Sequence, residues 1–226
     1  EIVRRRLFQP VGGGAAAAAG APAGLEAVAE AFSQMYQGQP QEFPAECRDL
    51  GIPYLYDPSQ QVLRLEGHEL ARDMEGAAFL FCNDYEFGLI SKKTGRDLQE
   101  ILRHVKVLVV TRGKEGASLY TDGQEVFIPT VPEREIIDPT GVGDAFRGGF
   151  LAGYGHGWDW KLCGEVGALA AVYCLERRGP QSHTFTRREF IRRFREHFDD
   201  QGRLDVLLRR VTRTPAKRTQ KGKKRK

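Results

Sequence analysis

The chain has 226 residues, 41% of them hydrophobic and 28% charged, and carries a formal net charge of +4. That size and balance fit an ordinary globular protein with a sizeable core, and no run of 18 apolar residues offers a membrane-spanning helix. The positive surplus is local, because residues 209–226 hold ten Lys or Arg and no acid, which leaves the remainder net negative. The first residue is Glu1 rather than Met, as expected of a fragment, and no charged-then-apolar leader pattern follows. Cys47, Cys82, Cys163 and Cys174 include no C-x-x-C pair, and their irregular spacing predicts free thiols in a reducing cytoplasm rather than a zinc site or a disulfide frame. The five histidines are scattered and form no metal motif.

Residues 1–44 read as an irregular, low-complexity segment. "GGGAAAAAGAPAG" is compositionally biased, only "LEAVAEAF" at 25–32 has helical character, and "QMYQGQPQEFP" at 34–44 is Gln- and Pro-rich. A folded domain is expected over 45–211. "IPYLYD" (52–57) reads as a strand closed by Asp57-Pro58, and "GHELARDM" (67–74) as a helix. "AAFLFC" (77–82) is a second strand, ended by Asn83-Asp84, and a helical stretch precedes another helix at "DLQEILRHV" (97–105). "VKVLVVT" (105–111) is the clearest buried strand, and "ASLYTDGQEVFIPT" (117–130) alternates around Asp122-Gly123 as a β-hairpin does. Helices are expected at 144–155, 161–177, 187–198 and 203–211. Residues 212–226 form a basic tail without apolar periodicity, expected to be disordered, solvated, and at most a weak nucleic-acid contact.

Short apolar strands alternating with helices predict an α/β sheet covered on both faces. Ligands of such sheets sit beyond the carboxyl ends of the strands. The chain places its polar and Gly-rich segments there: Asp57, Asn83 to Glu86, Thr111 to Gly116, and Asp138 to Asp144. "DPTGVGDAFRGGF" (138–150) has the composition of an anion site. Its glycines let backbone N–H groups approach a ligand, and the helix that follows points its dipole at the same place. An acid at the helix start, Asp144, is favoured as the carboxylate and can accept a proton.

The whole string "DPTGVGDAFRGGF" resembles a signature of the ribokinase family, the phosphofructokinase-B (PfkB) type carbohydrate kinases. The resemblance implies that Asp144 is the catalytic base and that Gly141, Val142 and Gly143 form an anion hole for the transferred phosphoryl group. Val142 stands where the family has a smaller residue. "NDYE" resembles the family's N-x-x-E motif, which implies that Asn83 and Glu86 order Mg2+ and phosphate through water. "TRGKEG" resembles the family's nucleotide loop, which implies ATP binding at Thr111, Gly113 and Gly116. "LERRGPQSH" resembles the loop that borders adenine, with Gly179, and less specifically Gln181 and His183, on the nucleotide and a monovalent cation such as K+ near Asp138. The likeness covers about residues 45–198 and is nearest to bacterial ribokinase-type adenosine kinases, through "GIPYLYDPSQQVLRL", "FLFCNDYEFGLI" and the 130–150 stretch.

The implied fold is the ribokinase-like doubly wound sheet, here only its C-terminal, nucleotide-binding part. The family's amino-terminal half, with its first strands and the lid and Gly-Gly motif that grip the acceptor, has no counterpart in residues 1–44. Loss of those strands would expose an apolar sheet edge and favour association with a second copy. The resemblance implies an ATP-dependent kinase acting on the 5′-hydroxyl of a nucleoside such as adenosine. A kinase of ribose, fructose or a similar sugar, and a non-catalytic nucleotide-binding remnant, stand as alternatives at this point.

Overall fold

The computed structural model describes residues 43–209. The low-complexity segment before them and the basic tail after them, including the disorder expected of that tail, lie outside the described residues. Within them the order is α1 (Phe43–Asp49), β1 (Leu55–Tyr56), a 3-10 turn (Ser59–Leu63), α2 (Gly67–Met74), β2 (Phe79–Asn83), α3 (Asp84–Thr94), α4 (Leu98–His104) and β3 (Val107–Thr111). A short 3-10 turn (Gly113–Glu115) leads to β4 (Ala117–Thr121) and β5 (Gln124–Ile128), then α5 (Val142–Gly155), α6 (Trp160–Leu175), α7 (Arg187–Arg195) and a last 3-10 segment (Arg203–Leu208).

The five strands lie in one sheet in chain order. β1, β2 and β3 run parallel, and the β4–β5 hairpin continues the sheet antiparallel beyond β3. Side chains alternate across β2 and β3, and each set meets its own helices. Leu80, Cys82, Leu108 and Val110 pack with Leu70 of α2, Ile90 of α3 and Ile101 of α4. Phe79, Phe81, Val107 and Val109 pack on the other face with Phe146 and Phe150 of α5 and Cys163 of α6. Both faces are thus covered, which is why β2 and β3 read as continuous apolar runs rather than as alternating ones. A third layer forms where Phe190, Ile191 and Phe194 of α7 pack behind α6.

Three expectations are corrected. β1 is two residues long rather than six: Pro53 has no N–H to give a ladder, and the Tyr54 carbonyl instead accepts from Ala78 N at 2.9 Å outside regular pairing. Residues 43–44, expected to be irregular, begin α1, whose Cys47 is buried in the core under α2. The 203–208 stretch is 3-10 rather than α-helical. Asp200 closes it tightly, accepting from Leu204 N at 2.8 Å through Oδ2 and from Arg203 N at 2.8 Å through its carbonyl. The four cysteines are free and buried, as their spacing predicts. Among the described residues no helix is long and apolar enough to cross a membrane.

Candidate active site

The carboxyl ends of β1, β2 and β3 lie side by side, because Asn83 at the end of β2 is in register with Thr111 at the end of β3. Each feeds a different kind of structure. After β2 the chain enters α3 through a reciprocal cap: Glu86 N donates to Asn83 Oδ1 at 2.7 Å, and Asn83 N donates to Glu86 Oε2 at 2.8 Å. One Glu86 oxygen is therefore committed to the helix start, and the other takes no hydrogen bond among the described residues. After β3, Thr111 leads into the Gly113–Glu115 turn, which the Arg112 N to Gly116 carbonyl bond closes at 2.8 Å. Gly116 is fixed by packing, since a Cβ there would meet the Ile128 carbonyl at 2.3 Å. Arg112 is held from the sheet side, donating to Ser118 Oγ and, at 3.1 Å, to Tyr120 Oη.

The turn at 138–144 is braced from both sides. Asp138 Oδ1 accepts Thr140 N at 2.9 Å and Oδ2 accepts Gly179 N at 2.8 Å, so this side chain ties the turn to the loop that follows α6. Hydrogen bonds from Thr140, then from Gly179, hold the Asp138 carboxyl below its ordinary range. Gly141 has φ +81°, and a Cβ on it would sit 2.4 Å from Pro180 Cβ, so only glycine fits between the turn and that loop. Behind the turn, Ile137 N and Asp138 N donate to the Leu175 carbonyl at 3.0 and 3.1 Å. The ion pair of Arg193 with Glu176 clamps the same approach, with Arg134 N donating to Glu176 at 2.8 Å. Burial works against charge on Glu176, but the Arg193 guanidinium and the Arg134 N–H prevail and hold its carboxyl below the ordinary range.

α5 then starts without a side-chain cap. Val142 N is turned toward the Pro139 carbonyl at 3.3 Å, while the N–H groups of Gly143 and Asp144 have no acceptor among the described residues. Two adjacent free donors at the head of a 14-residue helix suit an oxyanion or phosphate group. Asp144, in the first turn, is 74% exposed, and Arg147 one turn later pairs with it. The other arm of the Arg147 guanidinium pairs with Asp57, at the end of β1, whose side chain is only 12% exposed. Burial pushes the Asp57 carboxyl up; Arg147 opposes this, while Glu86 and then Asp144 act with burial. Asp57, Glu86, Asp144 and Arg147 thus form one charged cluster at the mouth of the sheet.

The residues present suit a nucleotide and a hydrated Mg2+. The free N–H pair at the glycine turn matches phosphate, and the unbonded Glu86 oxygen suits a Mg2+ that keeps most of its water. Among the described residues no group of three or more His, Cys, Asp or Glu is placed to hold a metal ion directly. Gly179, at φ +83°, lies behind the Asp138 bond, Gln181 is exposed, and His183 is partly buried with its ring 6.3 Å from Phe185. Thr111, Gly113 and Gly116 share a loop that opens beside the β2 end. The sequence singled out Asp57 as a strand-end residue but gave it no role, and it passed over Arg147. The signal for Arg147 was its spacing: three residues after Asp144 on a helix, it shares that residue's face.

The pfkB family carbohydrate kinase model matches residues 45–187, well over half of the chain. The chain belongs to this family. It is 34% identical over 142 residues to the nucleoside kinase of Methanocaldococcus jannaschii, covering 63% of this chain and 47% of that protein. It is 34% identical over 135 residues to the cytidine kinase of Thermococcus kodakarensis, covering 57% of this chain and 48% of that one. Among solved structures, the Burkholderia thailandensis nucleoside kinase in complex with inosine superposes with a TM-score of 0.68 at 38% identity, covering 70% of this chain and 52% of the other. The same Burkholderia enzyme has been solved in complex with ADP-inosine. The chain therefore spans about half the length of the relatives it matches. The mixed sheet with helices on both faces is the ribokinase-type fold of those neighbours.

Proposed function

We propose that the 45–211 region is the nucleotide-binding, C-terminal part of an ATP-dependent kinase that phosphorylates the 5′-hydroxyl of a nucleoside, with Asp144 as the base. The observation that carries this reading is the juxtaposition of Asp144 with two N–H groups that lack an acceptor, at the mouth of a sheet where the end of β2 and the start of α3 present Asn83 and Glu86. An alcohol is a weak nucleophile. The Asp144 carboxylate takes the hydroxyl proton as the alcohol oxygen bonds to the γ-phosphorus of ATP. The bond from that phosphorus to the bridging oxygen breaks, and ADP leaves with the electron pair. The N–H groups of Gly143 and Asp144, with Gly141 and Val142 shaping the turn, donate to the phosphoryl oxygens as charge builds there. Magnesium, when bound, neutralises phosphate charge, and the free Glu86 oxygen with Asn83 would hold its water shell. Thr111, Gly113, Gly116 and Gly179 lie against the nucleotide in this reading, and Asp138 beside a monovalent cation such as K+.

A nucleoside is preferred to a sugar because relatives 34% identical over more than half of this chain are named as a nucleoside kinase and a cytidine kinase, and the Burkholderia enzyme at 38% identity is solved with inosine, whereas a 5-dehydro-2-deoxygluconokinase at 37% identity matches only 30% of the chain. Within nucleosides, adenosine is the acceptor we assign, and the cytoplasm the compartment. The test is ATP- and magnesium-dependent phosphorylation of adenosine, inosine, cytidine, ribose and fructose by the purified 226-residue chain. Turnover that favours adenosine supports the assignment, and a clear preference for a hexose overturns it. Asp144→Asn should lower turnover by about two to four orders of magnitude, the usual range for a lost general base, with ATP affinity little changed. Near-full activity in that variant would remove Asp144 from the role.

A further inference from the structure

Asp144 is exposed, and a lone aspartate on a helix surface turns freely about its side-chain torsions. Here it does not stand alone. Arg147 Nη2 pairs with Asp144 Oδ1, and Arg147 Nη1 pairs with Asp57 Oδ2. The side-chain exposures fall inward along this row, from 74% for Asp144 through 25% for Arg147 to 12% for Asp57. Asp57 is in turn fixed: its Oδ1 accepts Ser59 N at 2.8 Å, its backbone runs from β1 into Pro58, and its Oδ2 has no partner besides Arg147 among the described residues. The guanidinium also lies close to the anion turn, with Nη1 3.9 Å from where a Cβ on Gly143 would sit.

We propose that Arg147, anchored by the partly buried Asp57, is a positioning residue that fixes the direction of the Asp144 carboxylate, leaving Oδ2 free to face the acceptor hydroxyl. This rests on the reading of Asp144 as the base. A planar guanidinium is suited to the task because its two Nη groups project at a fixed angle and reach two carboxylates at once; an ammonium is a point charge and holds no such geometry. The arrangement also explains a largely enclosed carboxylate at the end of β1 that otherwise has no work to do. Asp57 keeps Arg147 from swinging outward, and Arg147 keeps Asp144 from turning away from the anion turn. Glu86, the third acid of the cluster, lies near enough to Asp57 to act on it electrostatically but takes no direct part in the row.

The test combines kinetics with a measurement that needs no turnover. In the 226-residue chain, Arg147→Gln is expected to lower kcat by about ten- to a hundredfold, the scale of a misdirected reacting group, with the KM for ATP within about twofold. Asp57→Asn should act in the same direction, and the double variant should be no worse than the weaker single one, since both residues serve one contact. Arg147→Lys should recover only part of the loss. Alongside, side-chain NMR of the Arg147 guanidinium should show hindered rotation that Asp57→Asn releases. Three results overturn the proposal. Wild-type kcat in Arg147→Gln beside an inactive Asp144→Asn leaves the base in place and removes the positioning role. A raised KM for ATP with unchanged kcat makes Arg147 a phosphate ligand instead. A freely rotating guanidinium, indifferent to Asp57→Asn, removes the clamp even if no variant turns over. An active Asp144→Asn would instead sink the prior reading on which this one rests.

Discussion

Helix α3 opens with its own side chains folded back over its first turn, whereas α5, starting at the same edge of the sheet, opens with none. In α3 the Asn83 and Glu86 side chains each take a backbone N–H of the other. In α5 the residue before the helix is Gly141, which has no side chain to offer, and the N–H groups of Gly143 and Asp144 go without acceptors. A cap of the α3 kind stabilises a helix by about 1 kcal/mol, so α5 forgoes roughly that much. It is held by other means: its buried face against α6 and the sheet, and the clamp of Arg193 and Glu176 behind the 131–140 approach. A helix start that is to receive a ligand must be supported from behind rather than from its own tip.

That contrast can be broken at three points. The largest effect is expected at the clamp. Arg193 is 4% exposed at its side chain, and Glu176→Ala would leave its charge buried without a carboxylate to balance it, only the Pro132 carbonyl and the Tyr173 ring remaining beside it. A loss of about 3–5 kcal/mol is expected from denaturant unfolding, and a loss under about 1 kcal/mol would show that the approach to α5 is held by packing alone. Next comes Gly141→Ala, which adds a Cβ at φ +81° and 2.4 Å from Pro180. About 1–3 kcal/mol should be lost, with phosphate or ATP binding weakened as the turn shifts; unchanged binding would separate the turn from the anion site. The smallest effect is the most discriminating, at the capped helix. Asn83→Ala should cost about 1 kcal/mol of stability, whereas Glu86→Gln keeps a side-chain oxygen to accept Asn83 N and should change stability by less than about 0.5 kcal/mol. If Glu86 also serves magnesium, Glu86→Gln should still raise the Mg2+ concentration needed for activity. Equal Mg2+ requirements would leave Glu86 as a cap and nothing more.

What could be read from the sequence was local. The β2 run followed by Asn83 and Glu86 announces both a strand and a helix start, because a reciprocal cap lies within four residues. The β3 run and the Asp122-Gly123 hairpin are equally self-contained, and the start of α5 is written in 138–150. The family resemblance rests on those same short stretches and is borne out by the matched region 45–187. What escaped was what the chain brings together from afar. Arg147 meets Asp57 across 90 positions, and Arg193 reaches Glu176 and the Pro132 carbonyl from a different layer. No periodicity marks such pairs, since an arginine on a helix face reads as solvated until its partner is known. β1 was overdrawn for a related reason: "IPYLYD" is apolar enough for a strand, but the proline at its second residue and the irregular bond from Ala78 restrict the ladder to Leu55 and Tyr56.

The glycines between α5 and α6 have a mechanical meaning. A Cβ at Gly149 would lie 2.8 Å from the Val166 carbonyl and 2.9 Å from Gly167 Cα, one at Gly167 would lie 2.8 Å from the Phe146 carbonyl, and one at Gly153 would lie 3.0 Å from Cys163 Cα. The two backbones approach closely at successive turns, with the Phe146 and Trp158 rings packed beside the contact. Such a pair slides poorly and moves as one stiff beam. The two helices run antiparallel, so the end of the beam that carries Asp144 and its free N–H groups also carries Leu175 at the close of α6, with Glu176 after it, and these grip the approach to the turn. The grip therefore sits at the same end as the turn, and the turn, its helix and its anchor shift together or not at all.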